Sequence, residues 1–286
     1  MNRPQATGWG WPAAAADLVS LQLRLAAVST SGAGHPWRVP QEPLVAGCFV
    51  AFARGEAGPG RPGDRAWAAA VAWRASTTLR AARRSDAALR GVVQGTTPRQ
   101  AADVDAQAIA RGRVAAAYSP GLLALREGPI LEAALRALSV RPDVVLVDAT
   151  GADHPRRAGL AIHLGAVLGI PTVGATHRPL AGDGSLPELV RGATAPVRIG
   201  DEIVGRWVCT RTGARPVLAH RGWLTDDDAA VAVVLASSTE AARTPVPLQE
   251  ARRVAREARA LAGAGEAQQV IPGDPGCERP APHARG

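Results

Sequence analysis

The sequence predicts an α/β fold built on a mixed sheet, and three observations carry that prediction. Short apolar runs bounded by turn residues, Leu44 to Phe52 and Asp143 to Val147 among them, read as buried strands. Helical periodicity alternates with these runs, as in Ala13 to Val28, where Leu18, Leu21, Leu25 and Val28 share one stripe. An antiparallel meander early in the chain and a strand-helix-strand unit later place strands of both directions in the sheet.

The elements follow in order. After the first helix, Ser29 to Pro40 is a loop of glycine, proline and serine, and Leu44 to Phe52 is the first strand. Ala66 to Trp73 and Leu89 to Gln94 complete the meander. Gly128 and Pro129 open a helix that runs to about Leu138, because proline is tolerated in a first turn. Asp143 to Val147 is the next strand. Asp153 with Pro155 reads as a capped helix start leading through Leu160, Leu164 and Leu168, and Pro171 to Ala175 returns as a strand. Glu202 to Thr210 and Arg215 to Ala219 form a hairpin around Thr212-Gly213, and helices follow at Asp226 to Ser237 and Pro247 to Leu261. Residues 1–12 read as a flexible N-terminus, 13–262 as one domain and 263–286 as a disordered tail rich in glycine, alanine, proline and charge.

Composition narrows the partners. The formal net charge is +8, and all 33 basic side chains other than histidine are arginine. Guanidinium forks match phosphate oxygens in pairs, so a polyanion is one reading, and a solvated surface of arginine-biased composition is the other. Three cysteines, Cys48, Cys209 and Cys277, with no CxxC spacing argue against a zinc site or a disulfide framework and fit a reducing cytoplasm. Neither a signal peptide nor a membrane span is expected, because no uninterrupted apolar run is long enough. A monomer is expected.

The chemistry concentrates in two blocks. Tyr118-Ser119-Pro120-Gly121-Leu122-Leu123-Ala124-Leu125-Arg126-Glu127-Gly128-Pro129 is followed by Val147-Asp148 and by Gly151-Ala152-Asp153-His154-Pro155-Arg156-Arg157. Glu127 and Asp148 thus sit at the ends of two core elements, and a carboxylate pair beside basic residues suits a hard divalent cation and a phosphodiester. The plainer readings are a helix N-terminal carboxylate for Glu127 and a turn residue for Asp148.

These blocks resemble the endonuclease V family, the deoxyinosine 3′ endonucleases. The resemblance rests on Tyr118 to Pro129, on Asp148 to Gly165 including Gly159-Leu160-Ala161 and His163-Leu164-Gly165, and on Pro171-Thr172-Val173-Gly174, in that order. It extends more weakly from about Leu18 to Arg256, with Arg243, Pro245, Pro247 and Ala251 similar to the family's last helix. It implies a ribonuclease-H-like fold, a mixed sheet with helices on both faces. It further implies metal-dependent hydrolysis of a phosphodiester 3′ to a deaminated base in DNA or RNA, in DNA repair, with Mg²⁺ or Mn²⁺ held by Glu127 and Asp148. By the same resemblance Glu127, Asp148 and His177 are catalytic. Tyr118, Pro120, Gly121, Leu122, Gly151 and His154 receive the flipped base, with Tyr118 filling the vacated stack, and Arg126, Arg156 and Arg157 hold phosphates.

Several positions depart from the family pattern. Its first strand carries a metal-binding aspartate where Gly47-Cys48-Phe49 places Phe49, its lysine corresponds to His177, and the histidine of its Ser-Pro-Gly-His segment falls at Gly222. Asp153, His220, Cys48 and Asp226 to Asp228 are candidate replacements. A homologue that binds nucleic acid without cutting it is the alternative reading.

Overall fold

The structure, a computed structural model, describes residues 8–30, 37–53, 60–75 and 104–268. Along these residues run α1 (Ala15–Thr30), β1 (Leu44–Phe52), β2 (Arg65–Arg74), β3 (Ala106–Arg113), α2 (Leu123–Arg136), β4 (Val144–Val147), α3 (Leu160–Leu168), β5 (Thr172–Thr176), β6 (Thr194–Ile199), β7 (Glu202–Val208), β8 (Val217–Arg221), α4 (Asp227–Ala236) and α5 (Val246–Gln268). One sheet holds all eight strands in the order β3-β2-β1-β4-β5-β8-β7-β6. The pairs β1 with β4 and β4 with β5 are parallel, and the others are antiparallel.

Period-two alternation decides what each face of the sheet covers. Ala46, Cys48 and Val50 of β1, with Val145 and Val147 of β4, bury Leu18 of α1, Leu131 and Leu135 of α2 and Leu164 of α3. The intervening residues Val45, Val144 and Leu146 face Val233 and Val234 of α4 and Leu248 of α5, and Ala51 and Val71 meet Ala251, Val254 and Ala255 of α5. The predicted mixed sheet with helices on both faces is therefore what forms. A glycine lets α5 settle: a Cβ at Gly47 would stand 2.3 Å from the Pro247 carbonyl carbon, so only a bare backbone fits beneath that turn.

Some expectations change, one falls outside the described residues, and one strand was not foreseen. Leu89 to Gln94 lies outside the described residues, and the third meander strand is β3, an edge strand whose outward side chains include Gln107 and Ile109. Helix α2 begins at Leu123, which puts Pro129 inside it and Glu127 in its second turn. Buried Arg126 anchors that early start by donating to Ala116 O at 2.7 Å and to Asp64 Oδ2 at 2.8 Å while lying 4.2 Å from the Phe52 ring centroid. Arg126 is thereby committed to the interior and is not a phosphate ligand. Helix α3 begins after Gly159 rather than at Asp153, whose carboxylate instead accepts from the amides of Leu180, Ala181 and Gly182 at 2.6–2.9 Å. Finally, β6 escapes sequence reading because most of its residues are exposed or half-exposed at the far edge of the sheet.

The described part of the first 12 residues packs closely. Trp11 stacks at 4.2 Å on His163 and donates to Glu132 Oε2 at 2.6 Å, and a Cβ on Gly128 would meet its ring at 2.2 Å.

Candidate nucleic-acid interface

Asp148 directly follows β4 and His177 directly follows β5, so both lie at the carboxyl ends of parallel strands, where open α/β sheets receive ligands. A cavity of about 660 Å³ opens there, lined by Tyr118, Gly121, Leu123, Asp148, His154 and His177 together with Gln22, Thr150, Arg178 and Arg215. Five of the ten sequence-predicted site residues thus line one cavity.

One side of the cavity is a braced turn. Gly121 takes a left-handed conformation, φ +74°, and its carbonyl accepts from Gln22 Nε2 at 3.1 Å, His154 Nε2 at 3.1 Å and Arg156 NH2 at 2.8 Å. The Arg156 amide donates to His154 Nδ1, which leaves the histidine proton on Nε2 and explains why the ring donates to Gly121. Burial drives the His154 pKa down to about 4, and the Arg156 charge lowers it further against the opposing Gly121 hydrogen bond and Asp153 charge. The ring is neutral at pH 7. Arg156 Nε also reaches Gln22 Oε1 at 2.6 Å, so this arginine ties the turn to α1 and is not turned to solvent phosphates. Arg157 is likewise occupied, with Glu202 at 2.9 Å. Tyr118 lines the cavity and is 49% exposed.

Pro120, Leu122, Gly151 and Arg156 stand outside the lining. Leu122 packs against the α2 core, and a Cβ on Gly151 would meet the Arg221 carbonyl oxygen at 2.1 Å, so this glycine permits close backbone contact with β8. Nothing in the composition of the blocks distinguishes such a packing glycine from a pocket glycine.

The other side of the cavity is built from charge. The pairing of Cys48 with Val147 brings the next residues, Phe49 and Asp148, to neighbouring positions at the strand ends. Asp148 Oδ2 accepts from Arg252 NH2 at 2.8 Å, and the Arg252 guanidinium lies 5.5 Å from the Phe49 ring centroid, with Arg256 at 5.7 Å. Arg243 NH2 contacts His177 Nδ1. Burial lowers the His177 pKa, Arg243, Arg252 and Arg215 lower it further, and Asp148 opposes them. Arg215 and Arg252 were not singled out in the sequence, and Arg243 only within the last-helix resemblance, although an arginine pair one turn apart, Arg252 and Arg256, was the available signal.

Glu127 is partly buried on α2 and is not among the residues that line this cavity. It does share an electrostatic neighbourhood with Asp148. Burial raises the Glu127 pKa to about 7 and the Asp148 charge adds to that rise, while Arg126 opposes it. Buried Cys48 lies within reach of both carboxylates, and its thiol is pushed far up by burial and then by their charges, which leaves it protonated and inert. The replacement residues proposed from sequence are engaged elsewhere: Asp153 with the 180–182 amides, His220 fully buried with Nε2 at 2.8 Å from Thr176 Oγ1, and Asp226 capping α4 through Ala229 N.

Whether these residues fit a divalent cation follows from their donors. Mg²⁺ takes six oxygen ligands, usually one or two carboxylates completed by water and phosphate, and those carboxylates must be free to face it. Here Phe49 supplies no donor, Asp148 is neutralised by Arg252, and no group of three histidine, cysteine, aspartate or glutamate side chains among the described residues is placed to hold a metal. The donor set does not fit the cation.

Comparison with known proteins places this geometry in a lineage. The family model described as Endonuclease V matches residues 67–253. An Endonuclease V of Geotalea uraniireducens is 44% identical over 155 residues, which cover 54% of this chain and 66% of that relative. The crystal structure of the Endonuclease V of Streptomyces avermitilis is 33% identical and superposes with a TM-score of 0.70 over 89% of this chain and 96% of that one. Endonuclease V of Ciona intestinalis, crystallised with DNA containing an inosine, shares the fold at 15% identity and TM-score 0.62, covering 86% of this chain and 98% of that one. With a family model covering well over half of its length, this chain belongs to the Endonuclease V family.

Proposed function

We propose that the protein recognises DNA or RNA containing a deaminated base, chiefly the hypoxanthine of inosine, and holds that base in the cavity at the ends of β4 and β5. One observation carries the reading: an exposed Tyr118 lines a cavity beside the Gly121 turn, which is fixed by three convergent donors. A flipped nucleotide needs such a fixed surface, because unstacking costs a few kcal/mol that a preformed pocket and an aromatic filling the vacated stack offset. Basic side chains at Arg178 and Arg215 line the same cavity and suit the backbone phosphates. No described helix is long and apolar enough to cross a membrane, and the proposed setting is a monomer in the cytoplasm.

The test is fluorescence anisotropy with matched oligonucleotides containing inosine or adenosine. Tighter binding of the inosine strand, weakened by Tyr118→Ala, is the expected result. Equal, salt-insensitive signals for both strands would reject the reading.

A second reading is hydrolysis 3′ to the lesion with Mg²⁺ or Mn²⁺ through Glu127 and Asp148, assisted by His177. It is favoured by the mutual electrostatic reach of the two carboxylates. Product that appears with Mn²⁺ and disappears in both Glu127→Gln and Asp148→Asn would establish it.

A further inference from the structure

Resting on the recognition reading above, we infer that Arg252 is a built-in cation: its guanidinium takes the part of a divalent metal beside Asp148, so the cavity engages a nucleic-acid phosphate without any metal ion.

Three features support this. The first is place. Arg252 NH2 is 2.8 Å from Asp148 Oδ2, on the carboxylate that lines the cavity at the end of β4, so a positive charge already occupies the position beside it. The second is how that charge is kept there. The Phe49 ring lies beneath both Arg252 and Arg256 at 5.5 and 5.7 Å, and an aromatic face attracts a guanidinium where an aspartate would have attracted a metal. Gly47 lets α5 approach β1 within backbone contact, which brings Arg252 down onto the sheet. The third is surplus. Arg178 and Arg215 line the cavity, Arg243 contacts His177 at its edge, and the Arg243 pKa is depressed by burial and then by the charges of Arg215 and Arg252. Among the described residues Asp148 is the only carboxylate in the cavity lining, so the guanidiniums repel one another until an anion arrives.

A phosphodiester is the anion that this arrangement fits. It is adjacent to a base in the proposed occupant, it accepts bidentate guanidinium contacts, and its charge relieves the crowding of Arg215, Arg243 and Arg252. The same substitution of guanidinium for metal removes the Lewis acid and any metal-bound water, so the cavity keeps binding and loses the usual means of hydrolysis. Arg252 is a positioning and binding residue in this scheme.

The experiment has two independent arms. In the first, Mn²⁺ binding to the full chain alone is followed by electron paramagnetic resonance, with no nucleic acid present. No stoichiometric site is expected, and one bound Mn²⁺ per chain that is lost in Asp148→Asn would overturn the inference whatever the oligonucleotide results. In the second, anisotropy with the inosine oligonucleotide is measured in excess EDTA and in excess Mg²⁺. Affinities should agree within about twofold, and Arg252→Ala and the more exposed Arg215→Gln should each weaken binding by about tenfold in both buffers. Arg215→Gln serves where Arg252→Ala fails to fold, since Arg215 is an exposed side chain. Binding that requires Mg²⁺, or that is indifferent to both substitutions, would sink the inference while leaving base recognition standing. Failure to prefer inosine at all would instead strike the recognition reading.

Discussion

The two walls of the cavity differ in what maintains them. The Gly121 wall is a backbone construction: one carbonyl, one left-handed glycine and three neutral or internal donors from α1 and the 154–156 turn. The Asp148 wall is a charge construction, in which a carboxylate, an aromatic ring and several arginines balance one another. A backbone wall is specified by many residues at once and is preserved or lost as a unit. A charge wall can be rewritten by one substitution, because an aromatic face such as Phe49 holds a guanidinium but offers no oxygen to a metal ion. Recognition geometry and cation chemistry are therefore separable in this fold.

The comparison breaks most severely if the charge wall is pried from the sheet. Gly47→Val should cost ~3 kcal/mol or more, since the new side chain meets the Pro247 backbone rather than a movable side chain. Urea denaturation measures this. Any folded remainder should bind oligonucleotide with a reduced salt dependence, because α5 no longer presents Arg252.

Acid should act through buried groups around the cavity that titrate in opposite senses. His154 and His220, both held at about 4 chiefly by burial, are neutral in the fold, while the unfolded chain takes up protons below about 6.5, so their contribution is lost as pH falls from 6.5 toward 4. Glu127, raised to about 7, is protonated in the fold before it is in the unfolded chain, so its contribution grows as pH falls from 7 toward 4.5. Two groups oppose one, and a net loss of about 3 kcal/mol between pH 7 and 4 is expected at most. Thermal melts should show a steeper acid loss in Glu127→Gln and a shallower one in His154→Gln.

Smaller effects probe binding alone. Tyr118→Ala should weaken inosine-strand binding by ~1–3 kcal/mol while leaving the melting temperature unchanged, as expected for a half-exposed ring lining the cavity. Arg215→Gln should lower the slope of log affinity against log salt by about 1, read from a salt titration of the same complex.

Much of this molecule was written locally. The apolar runs Leu44 to Phe52 and Val144 to Val147 marked two central strands, and Asp226 marked the start of α4, because apolar runs and helix-start residues act within a few positions. The blocks around Tyr118 and Asp148 were legible as one site, and the structure brings Tyr118, Gly121, Asp148, His154 and His177 to one cavity. Local signals misled where a distant partner outbid a nearby role. Pro129 reads as a helix opening, yet Arg126 with Asp64 and Ala116 starts α2 two turns earlier. Asp153 reads as a cap, yet three amides some 27 residues away claim its carboxylate.

By itself the sequence determined the α/β class, the central strands and the family blocks. Only the tertiary structure decided that Arg252, more than 100 residues from Asp148, would supply the opposing charge. The reason is physical: hydrogen bonds and periodicity within an element are encoded in adjacent residues, whereas the electrostatic partner of a site charge is whatever the packing of α5 on β1 brings within 3 Å.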